Sequence, residues 1–314
     1  SLGSSLGSSV GVITDSGAVS VNNLAKFNST GNTITLGDGT TANFGTLDFA
    51  GSAVTITENS DMMIAESEAT GALALATSNS KIEQSGRIDA ISTSSFNSGA
   101  NVITLTQAND FAGAVSLTNT GDNLVQITDA NAIDLGAVSV GGALTVNSSG
   151  TISDSGAVSV AGLATFSSGG KSITLGDSTT LTMGSVDFAG STVSITEGDA
   201  MSIAASEATG ALSLTATGAI IQTGRIDADN TTSLINTSGT NDNITLTNAS
   251  NDFTGAVNVA ATDSTSDVSI TDANALDLGT VSVGQNLTVA TTGAITNSGN
   301  INVLGLAVFN SNAN

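Results

Sequence analysis

Short runs in this chain alternate an aliphatic residue with Ser, Thr or Asn, as in Ser172-Ile-Thr-Leu, Val193-Ser-Ile-Thr, Leu212-Ser-Leu-Thr, Val268-Ser-Ile-Thr, Val281-Ser-Val and Leu287-Thr-Val. Each run is rich in β-branched residues and bounded by Gly, Asn, Asp or Ser. That combination predicts half-buried strands closed by turns on both sides. Helical spacing is scarce. Its best case, Asp61 to Thr70, has a counterpart from Asp199 to Thr209 in which Met201-Ser-Ile203 alternates again, so both segments are read as strand. Proline is absent, which leaves every peptide N–H beyond the first residue free to join a strand ladder.

The runs recur in a larger pattern. Gly11-Val-Ile-Thr-Asp-Ser-Gly returns as Gly150-Thr-Ile-Ser-Asp-Ser-Gly at a shift of 139, which also carries Phe27 to Phe166 and Asp48-Phe-Ala-Gly to Asp187-Phe-Ala-Gly. The shift is 138 for Gly86-Arg-Ile-Asp and Gly224-Arg-Ile-Asp, 142 for Asn109-Asp-Phe and Asn251-Asp-Phe, and 143 for Asp129 and Asp272. A third copy opens at Gly293. The expected organisation is therefore the end of a preceding repeat over 1–10, one repeat over 11–149, a second over 150–292 and the start of a third over 293–314, as one continuous array excerpted from something longer.

Turn signals fall roughly every 8–12 residues, so two or three strands occupy a coil of about 20 residues before the pattern returns. A coil of that size cannot bury its aliphatic face alone and must stack on its neighbours, strand pairing to strand at about 4.8 Å. The predicted fold is all-β, a parallel β-solenoid of about 15 stacked coils. An array of immunoglobulin-like sandwiches fits less well, since it calls for linkers and a central aromatic, and the chain has no Trp.

Composition narrows the chemistry. Five basic residues, Lys26, Lys81, Arg87, Lys171 and Arg225, face 27 acidic ones, for a net charge of −22. Such a surface repels nucleic acid and anionic lipid headgroups. Without Cys there is no disulfide, thiolate nucleophile or cysteine metal site, and without His there is no imidazole base or ligand. Hydrophobic content of 39% with only 10% charged residues sets the chain apart from a disordered acidic tail. No basic leader with an apolar run of about 7–15 residues is visible, and no apolar stretch of about 18 residues predicts a membrane-spanning helix.

Leu212-Ser-Leu-Thr-Ala-Thr-Gly-Ala-Ile-Ile-Gln-Thr-Gly, Leu144-Thr-Val-Asn-Ser-Ser-Gly-Thr-Ile-Ser-Asp-Ser-Gly and Asn251-Asp-Phe-Thr-Gly-Ala-Val resemble the repeats of filamentous-haemagglutinin-like exoproteins, and the likeness runs over nearly the whole chain. The resemblance implies a right-handed β-helical shaft and a large bacterial surface adhesin of the two-partner-secretion type.

Nine acidic positions recur in both copies: Asp15/Asp154, Asp38/Asp177, Asp48/Asp187, Glu58/Glu197, Glu68/Glu207, Asp89/Asp227, Asp110/Asp252, Asp129/Asp272 and Asp134/Asp277. A carboxylate pair could run glycoside hydrolysis. An active site is needed once, however, whereas turn and surface roles return with every repeat, so these acids are read as turn and surface groups and no residue is assigned a catalytic role. Asp129-Ala-Asn131-Ala-Ile-Asp134 and its copy Asp272 to Asp277 place oxygen ligands at short spacing, but Asp and Asn at strand ends also cap turns. No metal or cofactor site is assigned, and calcium is expected only as a diffuse countercharge. Arg87 and Arg225 are expected to be held by carboxylates of a neighbouring coil. Thr-x-Thr triplets at Thr33, Thr55, Thr104, Thr180 and Thr245 raise an ice-binding alternative, and Asn28, Asn147 and Asn243 fit the glycosylation pattern that such a sequence also produces by chance. The expected function is a structural shaft of a secreted cell-surface adhesin or extracellular filament or matrix protein, partnered by further copies head-to-tail, and laterally where salt or divalent cations screen its charge, and by a cell-surface, polysaccharide or protein receptor. A β-helical enzyme acting on polysaccharide is the alternative from another class.

Overall fold

A computed structural model describes residues 11–312 apart from 238, 240 and 241. Among these residues there is no helix, and every element is a strand. Its parallel strands lie in stacked coils, an all-β solenoid of about 15 turns in all, and the chain falls into two compact units, one up to Gly162 and one from Leu163.

In the first unit three strand ladders carry successive coils. Face 1 pairs Ile34–Leu36, Val54–Glu58, Leu73–Thr77, Ser94–Asn97 and Val115–Asn119 in the register Ile34, Val54, Leu73, Ser94, Val115, all parallel. Face 2 runs Met62, Ile82, Ile103, Val125, Leu144. Face 3 runs Glu68, Asp89, Asp110. Partners along face 1 lie 19 to 21 residues apart in sequence, the coil length that the turn spacing predicts.

The second unit repeats the plan. Face 1 runs Ile173, Val193, Leu212, Thr232, Val257. Face 2 runs Met201, Ile220, Ile244, Val268, Leu287, Ala307, and face 3 runs Glu207, Asp227, Asp252. Met62–Ile64 and Ser67–Ala69 in the first unit, with Met201–Ile203 and Ser206–Ala208 in the second, are the strands expected over 61–70 and its copy.

Alternation explains which side chains are inside. In Leu73–Thr77 or Leu212–Ala216 the first, third and fifth residues are buried and those between them face outward. Because neighbouring coils keep register, most inward aliphatics sit over another of their kind, and every such Val, Leu or Ile withdrawn from water contributes about 1.5–3 kcal/mol. Phenylalanines join the interior: Phe96 and Phe111 meet edge to face at 5.7 Å and Phe27 and Phe44 at 5.3 Å.

Two steps in the drift of the repeat shift fall at corners. One residue fewer joins Ala216 to Ile220 than joins Thr77 to Ile82, and one more joins Ala261 to Val268 than joins Asn119 to Val125. The strands on either side keep their pairing. Two corners depend on glycine. Gly37 and Gly176 adopt φ +71, and a Cβ there would lie 2.0 Å from the carbonyl oxygens of Thr57 and Thr196 respectively.

Candidate functional site

Face 3 gathers three of the recurring acids into a column in each unit. Glu68, Asp89 and Asp110 stand in register on successive coils, as do Glu207, Asp227 and Asp252. Like charges one strand spacing apart repel, and arginine offsets this. Arg87 pairs with Asp89 of its own coil and reaches Asp110 of the next coil at 3.2 Å. Arg225 pairs with Asp227 at 2.8 Å and Asp252 at 3.5 Å, and its Nε donates to the Ser250 carbonyl at 2.7 Å. The expected clamp between coils is thus present in both copies, on the solvent side.

Shallow grooves run beside both columns. One of about 200 Å³ is lined by Glu68, Asp89, Ile91 and Asp110, and one of about 240 Å³ by Asp187, Glu207, Arg225 and Asp227. The copies differ in one respect. Asp48 accepts the Lys26 ammonium at 2.7 Å, whereas its counterpart Asp187 has Thr165 at the lysine position. Burial pushes the Asp187 carboxyl above the ordinary carboxylate range.

Opposite chemistry marks face 1. One outward row is Thr35, Thr55, Ala74, Ser95 and Ser116 in one unit and Thr174, Ser194, Ser213, Ser233 and Asn258 in the other, and the second row, with Thr57, Ala76, Asn97 and Thr118 or Thr196, Thr215, Ile235 and Ala260, is likewise uncharged. The Thr-x-Thr triplets are divided between faces: Thr55 and Thr57 belong to face 1, Thr104 and Thr245 to face 2. They form no single threonine array.

The reading of all nine acid pairs as turn and surface groups needs correction. Glu58 and Glu197 are buried. They close the strands Val54–Glu58 and Val193–Glu197, in phase with Val54 and Ile56 or Val193 and Ile195, so alternation turns them inward. Glu58 Oε2 accepts from Phe44 N–H at 3.2 Å and from Ser60 Oγ at 3.2 Å; Glu197 Oε1 accepts from Met183 N–H at 2.6 Å. The other oxygen of each, Glu58 Oε1 and Glu197 Oε2, is buried without a hydrogen-bond partner. Desolvation raises both carboxyls to about 7 against these hydrogen bonds.

Asp129 and Asp272 are also buried, yet they do cap turns, from inside. Asp129 accepts from Phe111 N–H at 2.8 Å and Asn131 N–H at 2.6 Å, and Asp272 from Phe253 N–H at 2.7 Å and Asn274 N–H at 2.6 Å. Desolvation raises their carboxyls and these N–H donors oppose it. Asp134 and Asp277 instead face solvent, taking Ser155 Oγ and Ser298 Oγ at 2.6 Å each. Asp129 and Asp134 therefore serve opposite sides of the wall, and among the described residues no three acidic side chains converge as metal ligands.

One constellation was not singled out in the sequence. Gln84 and Asn109, with Gln222 and Asn251 in the other copy, form an amide clasp across coils. Asn109 Nδ2 donates to Gln84 Oε1 at 3.0 Å, Leu105 O at 3.2 Å and Thr128 O at 3.0 Å, while its Oδ1 accepts from Ile88 N–H at 2.9 Å. Asn251 makes the same four contacts with Gln222, Leu246, Thr271 and Ile226. Recurrence of both amides between copies was the available signal.

No curated protein and no solved structure matches this chain. A family described as repeats of unknown function, DUF5649, matches residues 51–118, 121–189, 190–260 and 265–314. Its segments are about half the sequence shift, so each copy of the long period contains two family repeats. With most of its length in four such repeats, this chain belongs to that family.

Proposed function

We propose that the chain is a non-catalytic structural segment, a shaft or spacer of a secreted cell-surface adhesin or an extracellular filament, in a bacterium. The observation that carries this reading is the use of the polar groups. The arginine clamp, the amide clasp and the inward aspartate caps each occur in both copies and each spend their hydrogen bonds on neighbouring coils. That is what a repeated support requires and a single active site does not. The likeness to filamentous-haemagglutinin-like repeats supports the surface location and the adhesive setting. Further copies are the expected partners, with cations acting as diffuse countercharge along the acidic faces and no resident metal or cofactor.

Labelling intact producing cells with antibody to this segment tests the location; signal only after permeabilisation would overturn it. Deleting residues 150–292 joins Ser149 to Gly293 and restores the local pattern, so the shortened chain is expected to fold with a cooperative all-β transition. The groove beside Asp187, whose ammonium partner is missing in the second copy, favours a polysaccharide-acting enzyme as the second reading. Glycan hydrolysis by the purified chain that disappears in Asp187→Asn would establish that reading against the structural one.

A further inference from the structure

The two inward glutamates do a job that a solvated carboxylate or an aliphatic would not require. Glu58 ends a face 1 strand between Ile34–Leu36 and Leu73–Thr77, in register with Thr77, and reaches back to the Phe44 N–H. Glu197 stands in register with Ala216 and reaches back to the Met183 N–H. Each thereby joins the end of its own strand to the start of the longer strand before it, Ala42–Gly51 or Leu181–Gly190. One oxygen is satisfied and the other meets nothing, in both copies, although the two copies differ in sequence around them. A buried carboxyl with an orphaned oxygen is tolerable when neutral. When ionised it carries an unpaired charge out of water, which is far costlier.

We infer that Glu58 and Glu197 are proton-dependent latches: protonated, each holds its corner closed against the adjoining coil, and ionised, each favours opening of that corner. The surroundings supply no cation to reverse this. The flanking strands Ile34–Leu36, Leu73–Thr77, Ile173–Leu175 and Leu212–Ala216 carry no charged residue, nor do Ala42 to Phe44 or Leu181 to Met183. Asp38 and Asp177 are exposed in the preceding turns. The acidic neighbours that act on the latches are Asp61 for Glu58 and Asp199 for Glu197, and both oppose ionisation. Lys81 lies 3.8 Å from Asp61 and 2.8 Å from Glu83 and is paired there. The sign follows from linkage. Both carboxyls titrate near 7 in the folded chain against an ordinary 4.5, so the folded state holds protons that the unfolded state has lost. The stabilisation is complete below the ordinary value and is lost as pH rises through the folded one.

The test is urea unfolding of the full chain from pH 5 to 8.5, compared with the double variant Glu58→Gln and Glu197→Gln, which mimics the protonated state. The unfolding constant of the natural chain is expected to rise up to tenfold per pH unit for each carboxyl between about 5 and 7, and the double variant is expected to lose that added slope. Equal slopes in the two proteins would overturn the inference. A carboxyl carbon-13 titration makes the test independent of unfolding, because the chain has only six glutamates. Two should titrate near neutrality, and those two signals should vanish in the double variant. Six glutamates all titrating in the ordinary range would also overturn it.

Discussion

Gln84 and Asn109 exchange two side-chain hydrogen bonds, Nε2 to Oδ1 at 2.8 Å and Nδ2 to Oε1 at 3.0 Å, although they lie on different coils and 25 residues apart. Asn109 also holds two carbonyls and one N–H, so its removal strands several buried groups at once. Asn109→Ala is expected to cost about 3 kcal/mol, since each orphaned buried group costs about 1–3 kcal/mol. Asn251→Ala should cost a similar amount. Urea midpoints report both, and a change below about 0.5 kcal/mol, the scale of ordinary surface substitutions, would count against the clasp.

Ser94 and Thr232 occupy the same level of the two copies, inside face 1 columns otherwise formed by Leu73 and Val115 or Leu212 and Val257. Both hydroxyls are buried without a hydrogen-bond partner. Thr232→Val keeps the shape and removes the orphan, so it should stabilise the chain by about 1 kcal/mol. A lower melting temperature for this variant would contradict the assignment.

Gly37→Ala and Gly176→Ala are expected to be among the most damaging single-methyl additions. Each combines a left-handed backbone with a carbonyl oxygen 2.0 Å from the new carbon, and the loss should be about 2 kcal/mol or more. Gly17→Ala, with nothing within 4 Å of its added carbon, is the matched control and should be nearly neutral. Comparable losses at all three positions would show that the corner approach is not the cause.

The arginine clamps, by contrast, are exposed. Arg87→Gln and Arg225→Gln should each cost under about 1 kcal/mol, with the difference shrinking as salt is added. A loss of several kcal/mol that persists in high salt would mean that the clamp carries the coil pairing.

What the sequence made legible was the part written in a period of two. The alternation in Val193-Ser-Ile-Thr gave the strand and its buried side, and the turn spacing gave the coil length. The same alternation placed Glu58 with Val54 and Ile56, but a carboxylate invites a surface reading, and the inward geometry lost to that prior. The clasp was illegible for a different reason: Gln84 and Asn109 meet only because coils stack in register, a long-range fact that no local pattern contains. The column of acids on face 3 and the uncharged outer side of face 1 were hidden likewise. Glu68, Asp89 and Asp110 look scattered along the chain, and become a column only when each coil returns to the same face.

The corner between Ala261 and Val268 absorbs an extra residue while the strands it joins keep their pairing. There Asp263 steadies the bend by accepting from Thr265 N–H at 3.0 Å, and Ser264 is exposed. A foreign peptide spliced at Ser264 would therefore ride as a hook on an unaltered wall. Hooks placed in successive corners would stand about 4.8 Å apart, turning the coil count into a ruler for presenting other molecules at chosen intervals.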